Sequence, residues 1–150
     1  MKYDKYSRVN LMSVEKKLRL NAFNKEDLKV LSFLCQDAII SKDEYFYDKR
    51  KKLFVVTLAR YCWEKAEYSN SDVSYRVVTG LQFKNINEVE YINFTSTISY
   101  YNLLAITYSE KNIILNFSMS SKIKLNCKKI SAIIEDMDVP WPTKLKPQHN

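Results

Sequence analysis

Leu53-Phe54-Val55-Val56-Thr57-Leu58-Ala59-Arg60-Tyr61-Cys62-Trp63-Glu64 carries the clearest period in the chain. Taken alternately, it separates into Leu53, Val55, Thr57, Ala59, Tyr61 and Trp63 on one side, and Phe54, Val56, Leu58, Arg60, Cys62 and Glu64 on the other. Successive side chains of a strand point to opposite faces, so a period of two is the mark of a strand. The first half is apolar on both sides, which predicts a central strand covered on both faces. The rest of the chain is therefore read for what surrounds this strand.

Upstream, Leu18, Leu20 and Ala22 alternate with Lys17, Arg19 and Asn21, the pattern of a half-buried strand over 17–23. Asn24 then offers a side-chain oxygen to the free N–H groups of a following helix. Glu26 and Asp27 fall in its first turn, where the helix dipole favours negative charge. Leu28, Leu31, Leu34 and Cys35 repeat at helical spacing and define its buried stripe. Short strands are expected at 38–41 and 44–47, and Asp48-Lys49-Arg50-Lys51-Lys52 reads as a solvated turn.

Downstream, 65–74 reads as a surface loop, followed by strands at 76–84, 89–94, 103–108, 113–119 and 123–127. Residues 130–137 fit either a strand or a helix, because Ile130, Ile133, Ile134 and Met137 also share a helical face. Lys111-Asn112 and Ser120-Ser121 are expected as hairpin turns, with asparagine filling the positive-φ positions that glycine usually takes. Pro140-Trp141-Pro142 continues neither a helix nor a central strand, and Trp141 is expected to dock on its own domain. The sum is an α+β fold: one N-terminal helix packed on a largely antiparallel, strongly curved sheet or roll. Segment 37–40 with 53–58 faintly parallels 104–106 with 113–117.

A chain of 150 residues is long enough for one domain with a core of its own. A loose arm is expected at 1–16 and a single domain at 17–150, with a Pro-rich C-terminal tail. Gly80 is the only glycine, so no Gly-rich loop exists to bring backbone N–H groups onto a phosphate. The only histidine, His149, is the penultimate residue, which argues against His-based catalytic units and multi-histidine metal sites. No cofactor or metal is expected. Cys35, Cys62 and Cys127 are unclustered and read as buried free thiols of a reducing compartment. The N-terminus has no apolar signal region and no stretch is long enough to span a bilayer, so a cytoplasmic protein without membrane contact is expected. The net charge of +7 comes mostly from lysine, with Arg only at positions 8, 19, 50, 60 and 76. A basic surface attracts nucleic acid, but AT-rich codon usage produces the same excess of Lys, Asn, Ile and Tyr.

Several segments match a known family in order: Leu18-Arg19-Leu20, Glu26-Asp27-Leu28, Gln36-Asp37-Ala38, Arg60 with Trp63-Glu64, Leu103-Leu104-Ala105-Ile106, and Trp141-Pro142-Thr143 with Pro147 and His149. The chain resembles DUF2948, an alphaproteobacterial family of uncharacterised proteins, over about 17–149. The resemblance implies a small soluble bacterial protein and carries over no activity or catalytic residue. The chain departs from the family texture in being rich in lysine and nearly free of glycine.

Candidate binding residues follow from charge and aromaticity. Arg60 and Glu64 share one face of a strand but stand about 13 Å apart, so each needs another mate. Asp37 or Glu44 is the expected mate of Arg60, in an ion pair pinning the helix exit to the central strand. The alternative role for Arg60 is to read an anionic group with its planar fork. Trp63, Glu64, Asp37 and Trp141 complete this group. Lys49, Arg50, Lys51 and Lys52, preceded by Tyr45, Phe46 and Tyr47, form a second, where aromatic rings stack on bases and lysines meet phosphates. Carboxylate pairs stand at Glu26-Asp27, Asp43-Glu44, Glu88 with Glu90, and Glu135-Asp136 with Asp138; helix capping explains the first, the last lies at an element end, and no catalytic residue is assigned. The leading expectation is a non-enzymatic protein-binding or accessory module. RNA or single-stranded nucleic-acid binding through the 49–52 turn is the alternative, and an enzyme with an Arg/carboxylate site is the third reading.

Overall fold

The computed structural model describes residues 17–63, 74–138 and 140–143. The arm expected at 1–16, nearly all of the loop expected at 65–74, the candidate Glu64 and the single histidine His149 lie outside them. In chain order the strands are β1 (Arg19–Ala22), β2 (Ala38–Ser41), β3 (Tyr45–Asp48), β4 (Leu53–Tyr61), β5 (Ser74–Phe83), β6 (Glu88–Ile92), β7 (Tyr100–Ser109), β8 (Asn112–Phe117), β9 (Lys122–Asn126), β10 (Ala132–Asp136) and β11 (Trp141–Thr143). One helix, α1 (Lys25–Leu34), separates β1 from β2. All pairings are antiparallel, in the order β1-β10-β5-β4-β2-β7-β8-β9-β6, with β3 added to β4 and β11 to β5.

Helix α1 starts where the sequence places it. The Asn24 side chain accepts from the Asp27 N–H at 2.8 Å, and the Asp27 carboxylate reaches back to the Phe23 N–H at 2.9 Å. These reciprocal bonds satisfy donors that the first turn leaves free. Leu28, Leu31 and Leu34 are buried, each gaining roughly 1.5–3 kcal/mol from leaving water. The helix packs on β1 and on β7, strands far apart in the sheet order, so the sheet rolls around it. A bulge in β7 between Leu103 and Ala105 leaves Leu104 outside, and the Ser32 hydroxyl accepts the Ile106 N–H at 2.9 Å.

The roll does not close. At its far end β6 pairs, among the described residues, with β9 alone, and it approaches β3 through side chains. The Tyr45 and Tyr91 ring centroids are 5.5 Å apart, and Phe94 meets Tyr45 at 6.0 Å. The Tyr47 hydroxyl donates to the Ile86 carbonyl at 2.7 Å, and the Ile86 N–H donates to the Lys52 carbonyl at 2.9 Å. Burial raises the pKa of Tyr45 and of Tyr91 above the ordinary tyrosine value, and a neighbouring tyrosine raises each further.

Three expectations need correction. The inner face of β4 is buried through Phe54, Val56, Leu58 and Arg60, but Leu53, Val55, Thr57 and Ala59 are only half-buried. The single described helix covers the inner side of the roll, so β4 is central without being covered on both faces. Of the eight described non-glycine residues with positive φ, only Asn85 and Asn93 are asparagines. The β7–β8 turn places Glu110 and Lys111 there, one residue earlier than expected, and Met119 and Ser120 turn the β8–β9 connection. Residues 132–136 settle as strand, with Ala132, Ile134 and Asp136 inward, because β1 and β5 flank them on both sides. Gly80 adopts no positive φ. Its missing side chain instead makes room for Met137, whose sulfur would stand 3.3 Å from an added Cβ.

All three cysteines are buried free thiols, as expected, and burial raises the Cys127 thiol above its ordinary value. The segments noted as parallel fall on β2 with β4, and on β7 with β8, on either side of the β2–β7 pair.

Candidate functional site

Alternation along β4 sends Arg60 and Tyr61 to opposite faces, and their surroundings differ accordingly. Arg60 enters the core side and is fully buried. Its Nη2 donates to Asp136 Oδ2 at 2.9 Å and its Nε to Oδ1 at 3.3 Å, a two-pronged grip across the sheet. The Thr79 hydroxyl adds a bond to Asp136 Oδ1 at 2.8 Å. Asp37 or Glu44 was the expected mate. Glu44 is exposed on the surface, and the carboxylate that grips Arg60 comes from β10. Asp136 stands at an element end in the sequence, where nothing local marks it as buried. Its inward parity in β10 decides the matter.

On the opposite face, Tyr61 faces Arg76 of β5 across the ladder, and Arg76 faces Trp141 of β11. Cross-strand neighbours of this kind have Cβ atoms about 5 Å apart. The Arg76 guanidinium lies 5.8 Å from the Tyr61 ring centroid. The Trp63 ring meets Tyr61 edge-on at 4.5 Å, and Phe33 of α1 meets Trp63 at 6.5 Å. A row Phe33–Trp63–Tyr61–Arg76–Trp141 therefore runs from the helix to the C-terminal strand, with a single cation in it.

Polar contacts fix this row. Trp63 Nε1 donates to the Gln36 carbonyl at 2.8 Å, and the Tyr61 hydroxyl bonds Ser74 Oγ at 2.9 Å. Arg76 Nη1 donates to the carbonyls of Ala59 at 3.0 Å and Asp37 at 3.3 Å. Asp37 is buried at a positive φ of 64°, with its N–H donated to the Leu103 carbonyl at 2.7 Å. Burial lowers the Arg76 pKa, and the Asp37 carboxylate acts through space against that lowering.

The structure thus brings together Asp37, Trp63 and Trp141 and leaves Arg60 on the other face. Sequence reasoning missed Arg76. One signal was available: arginine is rare in this chain, and of the arginines in strands Arg19 lies in the short β1, whereas Arg60 and Arg76 lie in the long β4 and β5.

The basic group stands apart. Lys49, Arg50, Lys51 and Lys52 are exposed on the β3–β4 turn. Asp48 Oδ1 accepts the Lys51 N–H at 3.2 Å, Lys52 takes a φ of 52°, and its Nζ donates to Asn87 at 3.2 Å. Tyr45 and Tyr47 are engaged at the seam, so Phe46 is the one ring of the three that is largely exposed. The turn is built as a hairpin turn, and two of its three aromatics are not presented beside it.

The carboxylate pairs are mostly accounted for. Asp27 caps α1, Glu26 pairs with Lys29 at 3.4 Å, Glu135 pairs with Arg19 at 3.6 Å, and Asp136 holds Arg60. Asp43 and Glu44 are exposed on the β2–β3 turn, and Glu88 and Glu90 line a polar hollow of about 350 Å³ with Asn112, Lys124 and Asn126. Among the described residues no group of His, Cys, Asp and Glu is placed to hold a metal ion, and no helix is long and apolar enough to cross a membrane.

A family model described as a protein of unknown function, DUF2948, matches residues 18–149. No curated protein and no solved structure matches the chain.

Proposed function

The chain belongs to the DUF2948 family of proteins of unknown function, and on that footing we propose that it is a non-catalytic protein-binding module. It takes an extended segment of its partner onto the edge of its sheet. The observation that supports this reading is β11. Three residues with a proline at their centre are seated on β5, in line with β10 on the same edge.

The geometry explains why so short a segment fits. The Tyr75 carbonyl turns toward β4, where it accepts the Cys62 N–H at 2.9 Å. Alternation then points the main-chain groups of Ser74 and Arg76 toward β11. Pro142 lies opposite Tyr75, where the ladder asks for no donor. A pairing this short contributes little, and a longer partner strand offers more main-chain bonds to the same edge. The terminal strand β6 is a poorer candidate, since exposed Glu88 and Glu90 are of the kind that deters edge pairing. Carboxylates spent on a helix cap and on ion pairs support a binding role over a catalytic one.

The test is affinity isolation of the tagged chain from its own host after nuclease treatment. A defined protein should remain bound, and a synthetic peptide of the 139–146 sequence in excess should compete it away. Retention that disappears with nuclease would instead favour the basic turn and a nucleic acid. A bound protein indifferent to the peptide would remove β5 as the docking edge.

A further inference from the structure

Arg60 shows how this fold neutralises a buried guanidinium: Nε and Nη2 together grip both oxygens of Asp136. Arg76 is nine-tenths buried yet bonded through Nη1 alone, to two main-chain carbonyls. A guanidinium carries five N–H donors. Among the described residues no acceptor meets Nε or Nη2 of Arg76, so the edge that Arg60 uses on a carboxylate is left open. Neither nitrogen is among the fully buried polar atoms that lack a partner, so this edge stays within reach of solvent, and a ligand can supply its acceptors.

We propose that Arg76 is the anion-reading residue of a ligand site, and that its ligand is a carboxylate carried on an apolar or aromatic body. The open Nε/Nη2 edge matches two coplanar oxygens in bidentate fashion. The body of the ligand is selected by the rings that flank the cation in the row: Tyr61 on the neighbouring strand, Trp63 against Tyr61, and Trp141 opposite Arg76. Asp37 sets the charge. Its carboxylate acts on Arg76 through space and repels a doubly charged phosphate about twice as strongly as a singly charged carboxylate. The site is complete with β11 seated on β5, the state a partner strand would displace, so ligand binding is read on the chain alone and either reading can fail while the other stands.

The chain has two tryptophans, Trp63 and Trp141, and both lie in this row, so intrinsic fluorescence reads occupancy directly. The full chain is titrated with benzoate, with benzamide as its neutral counterpart, and with inorganic phosphate. Benzoate should give a saturable change, with benzamide and phosphate at least about tenfold weaker. Arg76→Gln should lose the benzoate response, and Arg76→Lys, which keeps the charge without the fork, should weaken it by about tenfold or more. N-acetylphenylalanine and a pentapeptide ending in phenylalanine then separate a free acid from a chain terminus. Equal binding supports a small acid, and tighter binding by the pentapeptide supports a protein carboxylate. Saturation by benzamide equal to that by benzoate, an unchanged response in Arg76→Gln, or no saturation by any carboxylate would overturn the proposal. The benzamide comparison uses the native chain and decides even if the Arg76 variants do not fold.

Discussion

Arg60 and Arg76 lie on adjacent strands, one rung apart in the β4–β5 ladder, and face opposite sides of the same sheet. Both are buried. Arg60 meets a carboxylate with its fork, and a threonine hydroxyl holds that carboxylate in place. Arg76 meets two carbonyl oxygens with one nitrogen and lies beside an aromatic ring. Charge buried with its counter-ion ties β4 to β10 across β5 and so fixes the order of three strands. A cation with its fork open ties no comparable set of strands together, and its geometry is that of a group a ligand completes.

The largest expected effect is on the Arg60 side. Asp136→Leu leaves a buried guanidinium without its counter-ion and should cost about 3–5 kcal/mol in urea unfolding. The double variant Arg60→Met with Asp136→Leu should recover most of that loss, because a well-packed apolar pair replaces a buried ion pair at little net cost. If the double variant is as unstable as the single one, the pair is not what makes the single costly. A smaller effect sharpens the same point: Thr79→Val removes one bond to Asp136 and should cost about 1–2 kcal/mol. No change there would mean the hydroxyl does not help to hold the carboxylate.

How much of this was legible in the sequence differs from element to element. The period of 53–64 and the Asn24 cap followed by Leu28, Leu31 and Leu34 gave β4 and α1 almost residue by residue, since both signals are local. Arg60 was legible as a charge in need of a mate. The mate was not, because Asp136 is 76 residues away and reaches it only when β10 pairs with β5. Arg76 was hidden for a similar reason. At the start of a strand pattern it reads as a solvated residue, and only the juxtaposition of β4, β5 and β11 puts rings on both sides of it. Turn positions were misread because positive φ fell on Glu110, Lys111, Met119 and Ser120, so the tightness of the hairpin outweighed residue preference.

The smallest effect concerns the seam between β3 and β6. Tyr45 and Tyr91 titrate above the ordinary tyrosine value of 10.0 in the folded chain. Their neutral forms therefore contribute stability that is fully present below about pH 10 and is lost as pH rises through the folded-state values. Thermal unfolding should show stability falling above that pH, and the fall should be shallower in Tyr45→Phe with Tyr91→Phe. An identical alkaline fall in that variant would show that the seam tyrosines are not its source.

The most direct test of the contrast between the two arginines is urea unfolding of Arg60→Met and Arg76→Met under one set of conditions. Arg60→Met, which strands Asp136, should lose about 3–5 kcal/mol. Arg76→Met, which removes a half-bonded charge, should stay within about 1 kcal/mol of the native chain or exceed it. Equal losses, or a larger loss at Arg76, would contradict the account and make Arg76 a second structural clamp.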